Sequence, residues 1–202
     1  MSGYPIPAKT IRIETRVVNS RFIATVGPAH SVEEARGFIA SVRREMPDAT
    51  HHVHAFKIGY GASVIEGMSD DGEPSGTAGP PVLAVLRGTD LGDVVAVVTR
   101  YFGGTKLGTG GLVRAYSDAV RRALEVLPIT RHIARAAIGL DFPYTYYEPI
   151  RRLLAQYEAE IEDETFAADV TLYAAVPLDR LEAFADALLE ITSGQVTPTR
   201  LD

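Results

Sequence analysis

Residues 93–127, DVVAVVTRYFGGTKLGTGGLVRAYSDAVRRALEVL, decide the fold of the first half of the chain. The run Val94-Val95-Ala96-Val97-Val98 is continuous and mostly β-branched, which predicts a buried strand over Asp93–Phe102. Five of the nine residues Gly103–Gly111 are glycine. The period then changes to a helical one, with Leu112, Tyr116, Ala119, Val120, Ala123 and Leu127 on the inner face. Pro128 ends the helix.

Upstream, Thr10–Val18 alternates apolar and polar residues as a strand does, and Asn19-Ser20 turns the chain into a second strand, Arg21–Val26. Ser31 followed by Glu34 is a capping-box pattern, and it opens a helix that ends near Met46-Pro47. Strands are predicted at Val53–Ile58 and Ser63–Met68, joined through Gly59-Tyr60-Gly61. A loop over Asp70–Gly76 leads into an apolar helix beginning near Pro80, where proline suits a first turn. Beyond Pro128 the order becomes strand (Ile133–Phe142), helix (Tyr146–Tyr157), hairpin (Ala159–Phe166 and Asp169–Val176), helix (Leu178–Ile191) and strand (Gln195–Thr199). That is βαββαβ, the ferredoxin-like plan. The fold class is therefore α+β in two domains, residues 1–128 and 129–202.

The 202 residues are 46% apolar and 23% charged, ordinary for a globular chain. There is no cysteine, which excludes disulfides, a thiol nucleophile and a cysteine-ligated zinc site. Met1–Thr10 lacks the apolar core of a secretion signal, and no apolar run approaches the roughly 18 residues of a membrane span, so a cytoplasmic location is expected. Residues 1–128 hold 14 Lys/Arg against 13 Asp/Glu, a net +1, whereas residues 129–202 hold 6 against 13, a net −7. A nucleic-acid contact therefore needs a local basic patch in the first domain.

The richest segment is Ser69–Pro80, with Asp70, Asp71 and Glu73 close together. Two readings stand: hard oxygen ligands for a divalent cation, or a turn whose carboxylates accept backbone N–H groups ahead of the next helix. Thr77 is read as the cap of that helix, since neither it nor Ser75 has the surroundings of a nucleophile. The glycine-rich loop also has two readings. Free amides at a helix N-terminus, Gly110 and Gly111 among them, beside Lys106 would hold an anion. Alternatively, the glycines form left-handed turns packed against the acidic loop. Thr109 stands where a P-loop needs its lysine, so no Walker-type site is assigned. His51, His52 and His54 are metal candidates, with His52 and His54 on one strand face but no third ligand in view, and no metal or cofactor is assigned. His30 and His132 have no motif around them.

Ser69–Pro80 together with Arg100–Ser117 resembles the signature of the IMPACT family, most closely its bacterial two-domain, YigZ-type members. Ser20-Arg21-Phe22-Ile23-Ala24 resembles the family's opening. His52-Val53-His54 departs from it, standing where relatives tend to show Asn, Cys and Tyr, and Gly67 stands where an arginine is common. The resemblance implies a first domain like domain 2 of ribosomal protein S5 and a second, ferredoxin-like domain similar to one in elongation factor G. It also implies a tie to translation, since eukaryotic relatives regulate translation initiation.

The functional expectation is a cytoplasmic, non-enzymatic, translation-associated regulatory protein that binds RNA, the ribosome or a regulatory protein, and not a membrane. Arg100, Lys106 and Arg114 are its expected cations, with Arg114 the candidate for a buried pair with Asp70 or Asp71. The alternative is an enzyme acting on a small anionic or phosphorylated ligand in the cleft between the acidic and glycine-rich loops.

Overall fold

The computed structural model describes residues 3–201; Met1, Ser2 and Asp202, at the outer ends of the two expected domains, lie outside the described residues. The chain divides into two compact units after His132.

In the unit Tyr4–His132, five antiparallel strands form one sheet. In chain order they are β2 (Ile11–Val17), β3 (Ser20–Pro28), β4 (His51–Tyr60), β5 (Ser63–Ser69) and β6 (Val94–Tyr101), and in space the order is β2-β3-β6-β4-β5. Helices α1 (Val32–Glu45), α2 (Gly79–Arg87) and α3 (Gly108–Glu125) cover it. The two faces separate by the strand period of two. Val94, Ala96 and Val98 join Phe22, Ala24, Val53 and Ala55 in a core with α2 and α3. Val95 and Val97 join Ile23, Phe56 and Ile58 in a core with Ala35, Ile39 and Val42 of α1. Burial on both faces explains the unbroken apolar run of β6. At the start of α1, Ser31 accepts from Glu34 N at 3.1 Å, while the Glu34 carboxylate reaches back to His30 N at 2.8 Å.

Two strands escape local reading. β1 (Tyr4–Pro7) and β7 (Ile129–His132) pair as an antiparallel ribbon, with Tyr4 opposite His132 and Pro7 opposite Ile129. The unit boundary is thus four residues beyond the expected break at Pro128, because 129–132 remain bound to the start of the first unit. Two prolines in four residues argue against a strand, but a ribbon edge tolerates them.

The unit from Ile133 is βαββαβ: β8 (Arg135–Phe142), α4 (Tyr147–Gln156), β9 (Glu160–Phe166), β10 (Val170–Pro177), α5 (Leu181–Ile191) and β11 (Thr199–Arg200), with sheet order β11-β8-β10-β9. This is the ferredoxin-like arrangement, with Ile138, Leu140, Leu172, Ile150, Leu154, Phe184 and Leu188 in its core. The last strand falls later than the expected Gln195–Thr199. Val196 is drawn into the core, its N–H donating to Thr192 Oγ1, and Pro198 has no N–H to give a ladder. No helix among the described residues is long and apolar enough to cross a membrane.

Candidate functional site

The acidic loop sends its three carboxylates to three different partners. Asp70 accepts from the backbone N–H groups of Gly76 at 2.8 Å, Ala78 at 2.9 Å and Gly79 at 2.8 Å. Burial pushes its pKa up, but the three amides outweigh that and hold it below the ordinary value. Asp70 therefore caps α2, and Thr77, the expected cap, does not: its hydroxyl donates to Pro74 O at 2.6 Å. Asp71, at φ 47°, accepts from His52 N at 2.6 Å and from the Arg43 guanidinium of α1. Its pKa is lowered too, against the effect of burial, by His52 N–H and Arg43.

Glu73 turns into the core. Its Oε1 accepts from Arg100 Nη1 at 2.6 Å and from Tyr116 Oη at 2.7 Å, and the Tyr116 hydroxyl pKa is raised by burial and by this contact. Arg100 Nη2 also donates to Ser20 Oγ at 3.2 Å, and its guanidinium carbon lies 5.3 Å from the ring centroids of both Phe22 and Phe102. Phe22, Arg100 and His51 form one cross-strand row over β3, β6 and β4, on the α3 side of the sheet. Arg100, one of the three cations expected to meet an anionic partner, is thus a buried ion-pair partner of Glu73. Arg114, expected in a buried pair, is exposed and has no ion pair to Asp70 or Asp71. Arg43 supplies that partner from α1 instead, a contact between segments 28 residues apart.

Between the two loops is a cavity of about 400 Å³. Glu73, Arg100 and His51 line its polar side, Leu107, Leu112 and Phe102 its apolar side, and Lys106 and Thr109 come from the glycine-rich loop. His51 Nδ1 is 2.8 Å from Asp71 O, an acceptor, so in the neutral ring Nδ1 carries the proton and Nε2 the lone pair. That Nε2 faces Glu73 Oε1 at 3.8 Å. Arg100 Nε is buried without a hydrogen-bond partner among the described residues. Helix α3 begins inside the glycine-rich stretch, after Leu107, and no side chain caps it. Gly108, Thr109 and Gly110 are in its first turn, where N–H groups have no helical partner; Gly111 is far enough in to bond to the Leu107 carbonyl. Gly104 and Gly108 take left-handed angles, φ 84° and 72°. Gly103 has a different reason, since a Cβ there would lie 2.0 Å from Asn19 O of the β2–β3 turn.

The histidine strand divides. His52 is buried, with Nδ1 at 3.1 Å from Thr99 Oγ1, and His54 Nδ1 meets His52 O at 3.2 Å. Both face α1, away from the cavity that His51 lines. The histidines that do converge on a carboxylate are His30 and His132, around Asp93. No local motif signals them, because their three segments are far apart in sequence.

A two-domain chain that joins this sheet-and-helix unit to a βαββαβ unit defines one class of protein, and the comparisons agree. The family model described as the Impact N-terminal domain matches residues 18–124, and one described as a domain of unknown function, DUF1949, matches residues 140–195. The IMPACT family member YigZ of Escherichia coli (strain K12) is 39% identical over 97% of this chain and 97% of its own length. A crystal structure of a hypothetical protein superposes with a TM-score of 0.74 at 38% identity, covering 100% of this chain and 98% of that one. The two-domain translational regulator Yih1 matches 61% of this chain and 48% of its own at 25% identity, with a TM-score of 0.36. The chain belongs to the IMPACT family.

Proposed function

We propose that the chain is a translation-associated regulatory protein of the cytoplasm that works by binding a small anionic or phosphorylated ligand in the cleft between its acidic and glycine-rich loops. The observation that carries this reading is the cavity of about 400 Å³, within the size range of small-molecule sites. Its apolar wall would take the ligand's body and Phe102 would offer a face for stacking. The uncapped first turn of α3 and the Lys106 ammonium would take the negative charge. Arg100 is already neutralised by Glu73, so it shapes the floor and is not the attracting charge.

A second reading, RNA docking, is favoured by the exposure of both Lys106 and Arg114. The two readings separate on Arg114, which does not line the cavity. The probes are AMP and a single-stranded oligoribonucleotide, followed by calorimetry across a salt series. In the cleft reading AMP binds, Lys106→Ala weakens it at least tenfold, and Arg114→Ala leaves it unchanged. In the RNA reading each substitution removes about one phosphate equivalent from the oligonucleotide's salt slope. Absence of AMP binding, or equal loss from both variants, would overturn the cleft reading.

A further inference from the structure

The geometry points to a second ligand site on the opposite end of the sheet from the cleft: a divalent transition-metal site, of a kind suited to zinc, built from His30, Asp93 and His132. The ligand atoms of these three residues all lie within 4.8 Å of one another. They come from the β3–α1 connection, the start of β6 and the end of β7, so folding alone brings them together.

Two imidazoles and a carboxylate are a recurring donor set for such ions. Around a tetrahedral zinc with bonds of about 2.0–2.2 Å, neighbouring ligand atoms stand roughly 3.3 Å apart. His30 Nδ1 and Asp93 Oδ2 are already 3.1 Å apart. Bringing in the third ligand needs a small side-chain movement, which His30 (45% exposed side chain) and the partly buried His132 have room to make. The two rings face each other at 5.4 Å between centroids, and neither ring nitrogen of His132 has a hydrogen-bond partner among the described residues. An ion bound in the plane of the His132 ring would give one of its nitrogens a partner.

The carboxylate is held as metal-bound carboxylates are, by donors around it. Asp93 Oδ1 accepts from Gly59 N at 2.8 Å, and Oδ2 accepts from Tyr4 Oη at 2.8 Å. Tyr4 is itself fixed between Tyr60, stacked at 4.9 Å, and His132 at 5.0 Å. Asp93 keeps this position at φ 46°, a left-handed angle, with its own carbonyl accepting from Ala29 N at 2.9 Å. Three protein ligands leave a fourth position, and a cavity of about 430 Å³ lined by Ser63, Ile58 and Val64 adjoins it. A water or a small oxygen ligand fits there. An ion so placed staples the β1–β7 ribbon, through His132, to the sheet, through Asp93.

The test is titration of the full chain with Zn²⁺ by calorimetry, and with Co²⁺ by visible absorption, which reports the coordination directly. One equivalent should bind, and the melting temperature should rise by about 8 °C or more when free Zn²⁺ exceeds Kd a thousandfold. His30→Ala and His132→Ala should each weaken binding at least tenfold and abolish the cobalt spectrum. His54→Ala, a histidine on the α1 face, should retain both. Asp93→Asn is informative only beside these, because it also disturbs the Gly59 and Tyr4 hydrogen bonds. Absence of stoichiometric binding by the wild type, or Zn²⁺ affinity and a cobalt spectrum that survive both histidine substitutions, would overturn the assignment. Neither result bears on AMP at the cleft.

Discussion

Glu73 and Arg100 form a salt bridge at 2.6 Å whose side chains are only 3% and 5% exposed, and Tyr116 donates to the same carboxylate oxygen. This ties the acidic loop, the end of β6 and the middle of α3 at one point. The cleft keeps its shape because its floor is an ion pair with little freedom to move.

Removing one partner strands the other in the core. Glu73→Ala should lose about 3–5 kcal/mol of stability, since Arg100 remains charged and loses its counter-ion. The double variant Glu73→Ala/Arg100→Met should recover more than half of that in guanidinium unfolding. Losses that simply add would show that the pair is not coupled.

Arg114→Ala should change stability by no more than about 0.5 kcal/mol, as expected for an exposed side chain. Arg43→Ala should lose about 1 kcal/mol, because Arg43 holds Asp71 from α1. The same pair of unfolding curves decides both. A large loss at Arg114 would mean that the acidic loop is braced from α3 instead.

The contrast shows what was legible in the sequence. The period of β6 and α3 reported burial, and each expected inner-face residue of α3 is buried. The ends of pairs were not legible. Arg43, Arg100 and Arg114 are chemically alike, and only the register that sets Arg100 opposite Phe22 and His51 sends it inward. Asp70 outcompetes Thr77 as the cap because a loop of left-handed turns brings it back over the α2 amides, which local propensity does not reveal. The β1–β7 ribbon pairs the first strand with the end of the unit, and Asp93 gathers His30 from 63 residues away and Tyr4 from 89, with no periodic signal at either end.

Asp70→Ala should cost about 1–2 kcal/mol at neutral pH, the range of a lost helix cap. Its pKa is lower in the folded chain than unfolded, so its contribution is present above the ordinary value of 3.8 and disappears as pH falls through the folded-state value. The gap between wild type and Asp70→Ala should therefore close in strong acid. A gap that stays constant with pH would mean that the carboxylate is not the capping group.

Adjacent glycines should respond differently. At Gly103 a new Cβ meets the Asn19 backbone, 2.0 Å from O and 2.1 Å from C, and backbone atoms cannot swing aside. Gly103→Ala should lose roughly 1–3 kcal/mol and separate the loop from the β2–β3 turn. Gly104 has open space, so Gly104→Ala bears only the left-handed angle, about 1 kcal/mol. Thermal denaturation of the two variants gives the order, and a reversed order would refute the close approach as the reason for Gly103.

The last expectation concerns acid sensitivity between pH 7 and pH 5. Burial lowers the His52 pKa, and the Arg43 charge lowers it further; burial likewise lowers that of His54. Both rings therefore stay neutral in the folded chain at a pH where the unfolded chain already takes up protons. With folded values below the ordinary 6.5, stability is full above that pH and falls as pH drops below it, until the folded-state values are reached. His52→Asn with His54→Tyr removes both titrations. Stability should then fall less steeply from pH 7 to pH 5 than in the wild type, measured by urea unfolding at each pH. An equal slope in wild type and double variant would mean that the buried strand accepts the protons without loss, and would remove these two histidines as the source of acid lability.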